Sequence, residues 1–316
     1  MPRPVALRRR TAESADPVWR VADGVFPFDR PVVIGILNVT PDSFSDGGKF
    51  DNATNALAHA RALVAEGADL IDVGAESTAP GALPIGAEEE WARLEPVLAG
   101  MCGLPIPVSI DTTKAEVAQR ALEAGAVVVN DVSGLHFDPE VADVAAAAGA
   151  GLILMHMRGD PLTMQRDVEY DDVVREVSEA LRGSVERAES RGCRPESLVV
   201  DPGLGFGKSA AGNLELLARL DELLPLGRPI HVGPSRKSFI GAALDVPVEE
   251  RLEGTIAASV IALTRGARLF RVHDVRAARR ALDLAQAILD SGPRGDREAR
   301  AGEGRAVGFD PRGGGE

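Results

Sequence analysis

Eight short apolar runs, each followed by a longer stretch rich in Ala, Leu, Glu and Arg, constrain the fold of this chain more than any other feature. Strands that are buried on both faces of a parallel sheet appear in a sequence as continuous apolar runs of this kind. Strict alternation of strand and helix predicts a parallel sheet. The predicted strands are Val32–Leu37, Leu70–Val73, Val108–Ile110, Val127–Val129, Leu152–Met155, Leu198–Val200, Ile230–Val232 and Leu269–Val272.

Amphipathic stretches between these runs predict the helices of the repeat. Examples are Asn52–Glu66, Thr113–Glu123, Glu140–Ala148, Tyr170–Arg191, Asn213–Leu223, Arg251–Leu263 and Val275–Leu289. A (β/α)8 TIM barrel takes about 250 residues, which is close to the length of the repeating part of the chain. The sequence therefore predicts a single (β/α)8 barrel. An open, doubly wound α/β sheet is the alternative that the same alternation allows.

The two ends of the chain differ in composition from the repeat. Residues 1–17 are predicted to be a disordered tail, residues 18–290 the barrel domain, and residues 291–316 a second disordered tail rich in Gly, Arg, Asp and Glu. A segment of that composition buries too little apolar surface to offset its ordering entropy. Within Val18–Asp29 an alternating pattern with Asp23-Gly24 at its centre predicts a short hairpin ahead of the barrel.

Charge and cysteine content limit the classes of function. The chain has 35 Lys and Arg against 48 Asp and Glu, and this net charge of −13 disfavours wide nucleic-acid binding. No apolar run approaches the roughly 20 residues that cross a bilayer, and the N-terminal arginines precede no signal-like apolar segment. Cys102 and Cys193 lack metal-ligand spacing. We expect a cytoplasmic protein without nucleic-acid or membrane partners.

Polar residues directly follow nearly every apolar run. Active sites of (β/α)8 barrels lie at the carboxyl ends of the strands, so these side chains should converge on one mouth. Asp111, Asn130 and Asp201 would suit a planar heterocycle with amide-like edges, because a carboxylate accepts two N–H bonds and an Asn both donates and accepts. Glu76 and Asp131 are explained equally well as residues that cap the following helix.

Positive charge gathers after the last two apolar runs. Arg236 and Lys237 follow the seventh run, and Arg271 and His273 stand two residues apart at the end of the eighth. Residues two apart on a strand point to the same side. The segments after strands 7 and 8 form the usual phosphate site of these barrels, which predicts an anion site here.

Three other motifs fail in detail. The segment 203–209 ends like a P-loop, but Pro202 stands where the first glycine is needed, and Lys208 interrupts a GxGxxG pattern. Met155-His156-Met157 resembles a soft-metal site, yet successive strand side chains alternate between faces. Core methionines beside a His at the mouth are the favoured interpretation.

The segments at the predicted mouth, taken together, resemble the dihydropteroate synthase family. The two longest are GILNVTPDSFSDGG at residues 35–48 and DVGAEST at 72–78. The shorter ones follow in order: SIDTT at 109–113, NDVSG at 130–134, MHMRG at 155–159, DPG at 201–203, FGK at 206–208, SRKS at 235–238 and RVHD at 271–274. The resemblance spans residues 31 to 290, which is most of the chain.

This resemblance implies a fold and an activity. It implies a (β/α)8 barrel that joins 6-hydroxymethyl-7,8-dihydropterin diphosphate to 4-aminobenzoate and releases diphosphate and 7,8-dihydropteroate, a step of folate biosynthesis. It also implies Mg²⁺ as the cofactor, a homodimer formed through outer helices, and a target of sulfonamides.

The resemblance assigns a role to each matching residue. The pterin-binding residues would be Asp111, Asn130, Asp201 and Lys237. The diphosphate would be bound by Asn38, Arg271 and His273, with Asn38 also near the metal ion. The aminobenzoate pocket and its two loops would be formed by Phe44, Thr78, Phe206 and Ser238, together with Lys237. The catalytic residues would be Lys237, Arg271 and His273.

One position departs from the family's pattern. Where the family usually has Ser-Thr-Arg-Pro-Gly, this chain has Ala79 in place of the arginine, so the second loop lacks a cation. Two alternatives are therefore a pterin-binding paralogue with weak or no synthase activity and the methyltetrahydrofolate-binding barrel of a corrinoid methyltransferase. The methyltransferase shares the pterin set but not the long first loop. Retention of Phe44, Thr78 and Lys237 favours the synthase.

Overall fold

A computed structural model of the chain describes residues 8–9, 18–22, 24–39 and 49–291. Its first elements form a three-stranded antiparallel sheet of β1 (Arg8–Arg9), β2 (Val18–Val21) and β3 (Gly24–Pro27). The predicted hairpin is therefore confirmed as β2 and β3. The strand β1 falls inside the segment predicted to be an N-terminal tail. The rest of that tail lies outside the described residues, as does the C-terminal tail after Ser291.

Eight parallel strands then close into a barrel. They are β4 (Val32–Asn38), β5 (Leu70–Gly74), β6 (Val108–Asp111), β7 (Val128–Asp131), β8 (Gly151–Met155), β9 (Leu198–Asp201), β10 (Ile230–Val232) and β11 (Ala267–Val272). The last strand pairs with the first, Arg271 standing opposite Ile34, and this pairing excludes the open doubly wound sheet. The predicted (β/α)8 fold is confirmed.

Helices of the described chain connect consecutive strands around the barrel. They are α1 (Lys49–Glu66), α2 (Ala87–Met101), α3 (Ala115–Glu123), α4 (Glu140–Ala148), α5 (Val173–Ser190), α6 (Ala210–Ala218), α7 (Ser238–Leu244), α8 (Leu252–Thr264) and α9 (Val275–Asp290). Local sequence sets several ends. Asp172 caps α5 by accepting the N–H groups of Val174 and Arg175, and Gly149 ends α4 in the left-handed conformation. Within the described residues, no helix combines the length and apolar character that a membrane span requires.

The apolar interior has two parts, because strand side chains alternate between the inside and the outside of the barrel. Outward-facing residues such as Val33, Val73 and Phe270 pack beneath the helices in one large cluster. Inward-facing residues near the amino ends of the strands form a second cluster that includes Val32, Leu70 and Val199. The amino half of the barrel is thus filled with apolar side chains.

The hairpin closes the amino end of the barrel. Trp19, Val21 and Phe26, which we call the basal plug, are fully buried and belong to the inner apolar cluster. Trp19 stacks on Phe26 at 5.3 Å between ring centroids and donates its indole N–H to the carbonyl oxygen of Ser197 at 2.8 Å. A Cβ atom at Gly151 would lie 2.7 Å from the Trp19 ring, so the close approach requires glycine there.

Candidate active site at the barrel mouth

Inward-facing positions change from apolar to polar toward the carboxyl ends of the strands. The strand registers place Asp111 opposite Asn130 and Asp201 opposite Met155. We call six of the polar inward-facing side chains in this half of the barrel the polar floor. Its members are Asp72, Asp111, Asn130, Asp201, His231 and Arg271, and only Asp111 and Arg271 among them are more than slightly exposed.

Arg271 joins three strands at the centre of the polar floor. Its Nε donates to Oδ2 of Asp72 at 2.6 Å and its Nη2 to Oδ2 of Asp111 at 2.8 Å. Asn130 donates its side-chain amide to the same Asp72 oxygen at 3.0 Å. Burial raises the pKa of Asp111 to about 7, although the Arg271 guanidinium acts to lower it. The four side chains form one connected network.

Arg271 keeps donors for a ligand. Two of the five guanidinium N–H groups are used by the carboxylates, and within the described residues Nη1 makes no hydrogen bond. The side chain is 21% exposed, so it opens to the mouth. A guanidinium held from below by two carboxylates and open above has a fixed orientation toward an incoming anion.

Asp201 is also held on both of its oxygens. Its Oδ1 accepts the backbone N–H of Gly203 at 2.7 Å, and its Oδ2 lies 2.7 Å from Nδ1 of His231. The aspartate is 4% exposed and the histidine 1% exposed. The carboxylate therefore stands at the mouth with its plane fixed by two neighbours.

Lys237 and Phe206 lie side by side above the polar floor. The Lys237 ammonium is 3.9 Å from the centroid of the Phe206 ring, a cation–π contact. Burial lowers the pKa of Lys237 to about 8, and Arg271 contributes to the lowering. At neutral pH most of the Lys237 side chains keep their charge and remain able to donate hydrogen bonds.

Lys208 holds the loop that carries Phe206. Its buried ammonium lies 3.0 Å from the carbonyl oxygen of Gly203, 2.9 Å from that of Phe206 and 2.9 Å from Nδ1 of His156. Burial lowers the pKa of Lys208 to about 7. The lysine of the failed P-loop motif thus fastens two loops of the mouth together. His156 serves as its partner, with the buried Met155 and Met157 in a small apolar cluster nearby.

His273 and Ser235 connect the ends of the last two strands. Ser235 Oγ lies 2.9 Å from Nδ1 of His273 and accepts the backbone N–H of the same residue at 3.1 Å. Burial lowers the pKa of His273 to about 4, with Arg236 and Arg271 adding to the effect. His273 is therefore a neutral hydrogen-bonding ring at pH 7 rather than a second positive charge.

The remaining predicted site residues lie at the rim. Asn38 is the exposed last residue of β4, Thr78 is partly buried in the loop after β5, and Ser238 is the exposed first residue of α7. Among the described residues no hydrogen bond joins these three to the polar floor. Phe44 lies outside the described residues.

The contacts of Asp131 and Glu76 give both carboxylates a structural role. Asp131 accepts hydrogen bonds from the backbone of Ser133 at 2.8 Å and of Leu135 at 2.6 Å, so it stabilises the turn after β7. Glu76 forms an ion pair with Lys114 at 2.7 Å and accepts the backbone N–H of Ile85 at 2.8 Å. Glu76 therefore anchors the loop of residues 75–86.

Known proteins are similar to this chain in sequence and in fold. The family model described as pterin binding enzyme matches residues 34–273. The chain belongs to the pterin-binding enzyme family. The chain is 48% identical over 261 residues to the dihydropteroate synthase of Synechocystis sp., covering 82% of this chain and 90% of that protein.

Solved structures of this family agree with the fold. A Xanthomonas albilineans dihydropteroate synthase with 4-aminobenzoic acid has a TM-score of 0.82 and 43% identity, covering 88% of this chain and 100% of that one. A dihydropteroate synthase from the same organism in complex with 7,8-dihydropteroate has a TM-score of 0.79 and 42% identity, with the same coverage. The resemblance inferred from the mouth segments is confirmed.

The position at which this chain departs from the family's pattern lies at the rim. Ala79 is exposed, and two residues later Gly81 donates its N–H to the carbonyl oxygen of Pro161 at 2.8 Å. Two arginines that could substitute for the missing cation are already engaged in ion pairs. Arg158 forms an ion pair with Glu176 at 2.7 Å, and Arg236 pairs with Asp274 at 2.7 Å.

Two members of the polar floor were not singled out from the sequence. Asp72 and His231 each stand inside an apolar run that predicts a buried strand. A polar residue in such a run is buried if the strand is real, and a buried polar group needs a partner. A polar residue inside a run that predicts a buried strand is therefore the sequence signal that identifies Asp72 and His231.

Proposed function

We propose that this chain condenses 6-hydroxymethyl-7,8-dihydropterin diphosphate with 4-aminobenzoate, giving 7,8-dihydropteroate and diphosphate in folate biosynthesis. The observation that carries the proposal is the network in which Arg271 is held by Asp72 and Asp111 beside Asn130. These side chains would offer acceptors to the N–H edge of a heterocycle directly beside a cation for its diphosphate. Membership of the pterin-binding enzyme family supports the same activity.

The pterin ring would lie on the polar floor. Asp111, Asn130 and Asp201 offer carboxylate and amide atoms that match the donors and acceptors of its pyrimidine edge. These groups stand on barrel strands and are bonded to their neighbours, so they need little reorganisation when a ligand arrives. Lys237, which lies above them, would donate to an acceptor of the ring.

Departure of the diphosphate is the step that requires positive charge on the protein, because the leaving group is an anion. Arg271 would bind the leaving group through its open N–H groups, and His273 would donate a hydrogen bond without adding charge. The carbon left behind on the pterin becomes electron-poor, and the carboxylates of Asp111 and Asp201 would stabilise it. The arylamine nitrogen then forms a bond to that carbon, in place of the broken bond to diphosphate. The arylammonium formed is acidic and would give its proton to the released diphosphate or to water, so no strong base is needed.

A divalent cation fits this arrangement. Mg²⁺ takes oxygen ligands, keeps several waters and is commonly bound by one or two carboxylates plus the phosphates of a substrate. The amide oxygen of an asparagine is a neutral oxygen ligand. Asn38 presents an exposed amide at the end of β4, on the same rim as Arg271. When bound, the ion would neutralise charge on the leaving diphosphate. Asn38 would hold and orient it.

The aminobenzoate would bind nearer the rim, against Phe206 and Lys237. The ring of Phe206 offers an apolar face, and the adjacent ammonium of Lys237 offers a counter-charge for the carboxylate of the substrate. Thr78 in the loop after β5 and Ser238 at the start of α7 would complete this pocket. Closure of the loop that carries Thr78 would keep out water, which would otherwise attack the electron-poor carbon.

A homodimer is part of the proposal. Large apolar side chains are exposed on three helices that follow each other along the chain, and α8 packs beside α9. These side chains are Leu244 on α7, Ile261 on α8, and Leu284 and Ile288 on α9. The last two are each 64% exposed. Large apolar side chains exposed on neighbouring helices provide a surface that another protein can cover. A second copy of this chain would bury it.

We also propose that the enzyme works in the cytoplasm. Both cysteines are free thiols in the structure, Cys193 buried and Cys102 exposed. An exposed free thiol is compatible with a reducing compartment.

Diphosphate release tests the activity. Purified protein is incubated with the pterin diphosphate and Mg²⁺, with and without 4-aminobenzoate, and diphosphate is measured by a coupled assay. Release that depends on the arylamine, together with 7,8-dihydropteroate detected by mass spectrometry, supports the synthase. Binding of the pterin without release would show a paralogue that has kept the pocket and lost the reaction.

A further inference from the structure

His231 is the one imidazole inside the barrel among the described residues. It stands in the middle of β10, opposite Leu269 of the inner apolar cluster, and is 1% exposed. Placing a polar ring there has a free-energy cost unless the ring makes a hydrogen bond. Its neighbours on the same strand, Ile230 and Val232, point the other way and pack in the outer apolar cluster. The histidine therefore needs an explanation beyond packing.

Its hydrogen bond goes to Asp201. Nδ1 of His231 lies 2.7 Å from Oδ2 of the aspartate. A carboxylate has only lone pairs to offer, so the ring must donate from Nδ1, and this fixes its tautomer. Among the described residues, Nε2 is buried and makes no hydrogen bond. The polar function of the ring is thus directed at one atom of Asp201.

The second oxygen of Asp201 is fixed by the backbone. Oδ1 accepts the N–H of Gly203, whose φ of +69° is a left-handed conformation. A Cβ atom at Gly203 would collide with the carbonyl oxygen of His156, so the loop is tightly seated at this point. Gly203 and His231 therefore hold one oxygen each, and the carboxylate cannot rotate without breaking a bond. A carboxylate offers about four lone-pair sites, so about two remain for a ligand.

We propose that His231 is a positioning residue that orients the Asp201 carboxylate toward the N–H edge of the pterin. This inference rests on the proposed function, since Asp201 is taken to bind that substrate. His231 itself lies beneath Asp201 and does not touch the ligand. It acts by fixing the orientation of the two remaining lone pairs of the carboxylate, so that two adjacent N–H groups of the pterin can donate to them.

Two substitutions separate positioning from packing. His231→Phe keeps a flat ring of similar size and loses the donor. His231→Asn loses most of the ring but places an amide N–H close to the position of Nδ1. Positioning predicts that His231→Phe raises KM for the pterin diphosphate by about tenfold or more, the effect of one hydrogen bond to a charged group. It predicts that His231→Asn stays within about threefold of wild type.

The second substrate supplies the internal control. KM for 4-aminobenzoate should stay within about twofold of wild type in both variants, because its proposed pocket lies at Phe206 and Lys237. Calorimetry with the free pterin alcohol should show the same order of affinity, wild type and His231→Asn above His231→Phe. Thermal unfolding checks that each variant folds. His231→Leu, a smaller apolar residue, replaces His231→Phe if the latter does not fold.

The outcomes distinguish this inference from the proposed function. A wild type that shows arylamine-dependent release, with His231→Phe equal to it in KM and pterin affinity, would overturn the inference alone. Equal losses in His231→Phe and His231→Asn, or a parallel rise in both KM values, would show a packing role and also overturn it. A wild type that binds no pterin would overturn both.

Discussion

The inward-facing side chains of the barrel strands are apolar at one end of the barrel and polar at the other. At the amino end these positions are apolar and the basal plug covers them, so that Trp19, Val32 and Leu70 are fully buried. At the carboxyl end they are polar, and Asp72, Asp111 and Asn130 are connected through Arg271. The difference shows that one set of strands can carry stability at one end and ligand binding at the other.

The largest expected effect comes from Arg271, which contributes both to stability and to the proposed binding of the diphosphate. Arg271→Ala leaves Asp72 and Asp111 without their cation, and removing one partner of a buried ion pair costs about 3–5 kcal/mol of stability. In the protein that remains folded, kcat/KM for the pterin diphosphate should fall about 10²–10³-fold, as for loss of one charge-stabilising donor. Urea unfolding and steady-state kinetics measure the two effects.

The control for this substitution is Arg271→Lys. It keeps the charge but loses the planar fork that reaches two carboxylates, so stability should recover more than activity. Calorimetry compares the diphosphate with the free pterin alcohol, and the diphosphate should weaken more in Arg271→Ala. Equal weakening of both ligands would show that Arg271 does not form the anion site.

The amino end should respond in the opposite way. Trp19→Ala removes the largest side chain of the basal plug and leaves a cavity among Phe26 and the barrel residues, at a cost of about 3–5 kcal/mol of stability. Because the plug lies at the far end from the polar floor, KM for both substrates should stay unchanged at a temperature where the variant is folded. A large change in pterin KM would show that the two ends are coupled.

His273, at the carboxyl end of the barrel, should make the stability of the protein decrease at acidic pH. Its pKa is lowered to about 4 in the folded chain against 6.5 for a free histidine. Between these values the unfolded chain binds a proton that the folded chain does not, so stability is lost as pH falls from about 6.5 toward 4. The contribution is at most about 3 kcal/mol.

The variant His273→Asn isolates this contribution. It keeps an acceptor near Ser235 but has no group that titrates, so its stability should fall less than that of wild type between pH 7.5 and pH 4.5. Urea unfolding at the two pH values measures the difference. Parallel curves for the two proteins would mean that His273 takes up its proton normally in the fold.

Asp201→Asn tests the polar floor with little change in shape. The pterin should lose about 1.5–3 kcal/mol of binding free energy, because a charged acceptor of two N–H groups becomes neutral. Calorimetry with the free pterin measures the loss. Asp221→Asn, which changes an exposed carboxylate paired with Arg265, is the matched control and should bind as wild type does. Unchanged affinity in Asp201→Asn would remove that residue from the pocket.

The smallest expected effect concerns the rim. Ala79→Arg restores the cation that the family's pattern has in this loop and should raise kcat/KM about tenfold, the effect of one interaction of about 1.4 kcal/mol. Arg158 and Arg236 are held by Glu176 and Asp274, which favours this outcome over a wild type already compensated. Ala79→Gln controls for side-chain length. A fully active wild type that gains nothing would show an ordinary synthase.

Much of the fold follows from local pattern, and the exceptions have physical causes. The eight strands were predicted because a buried parallel strand is apolar along its whole length. Helix α2 was not among the helices named from the sequence, and it contains Pro96 and an acidic first turn, which obscure its amphipathic pattern. The strand predicted at Val127–Val129 is Val128–Asp131 in the structure, one residue later at its start and two at its end. The carboxyl end was missed because the polar Asn130 and Asp131 that complete the ladder do not resemble residues of a buried strand.

Most residues of the site were predictable from the sequence, apart from Asp72 and His231, but the hydrogen bonds among them were not. Strand ends and the family resemblance identify Asp111, Asn130 and Arg271, which the fold brings together. The partners that hold them come from distant parts of the chain, as with Arg271 and Asp72, and local sequence contains no signal for such pairs. The low pKa of His273 likewise depends on burial that only the closed barrel creates.

The basal plug also gives the barrel a single entrance. With Trp19 and Phe26 filling the amino end, a ligand that reaches the polar floor must arrive and depart past the rim where Phe206 and Lys237 lie. On the placement of the substrates proposed above, the pterin diphosphate would lie deeper than the aminobenzoate. An aminobenzoate bound first would block the path of the pterin to the polar floor, and one bound second would block its exit. The single entrance would thus set the order in which the two substrates bind.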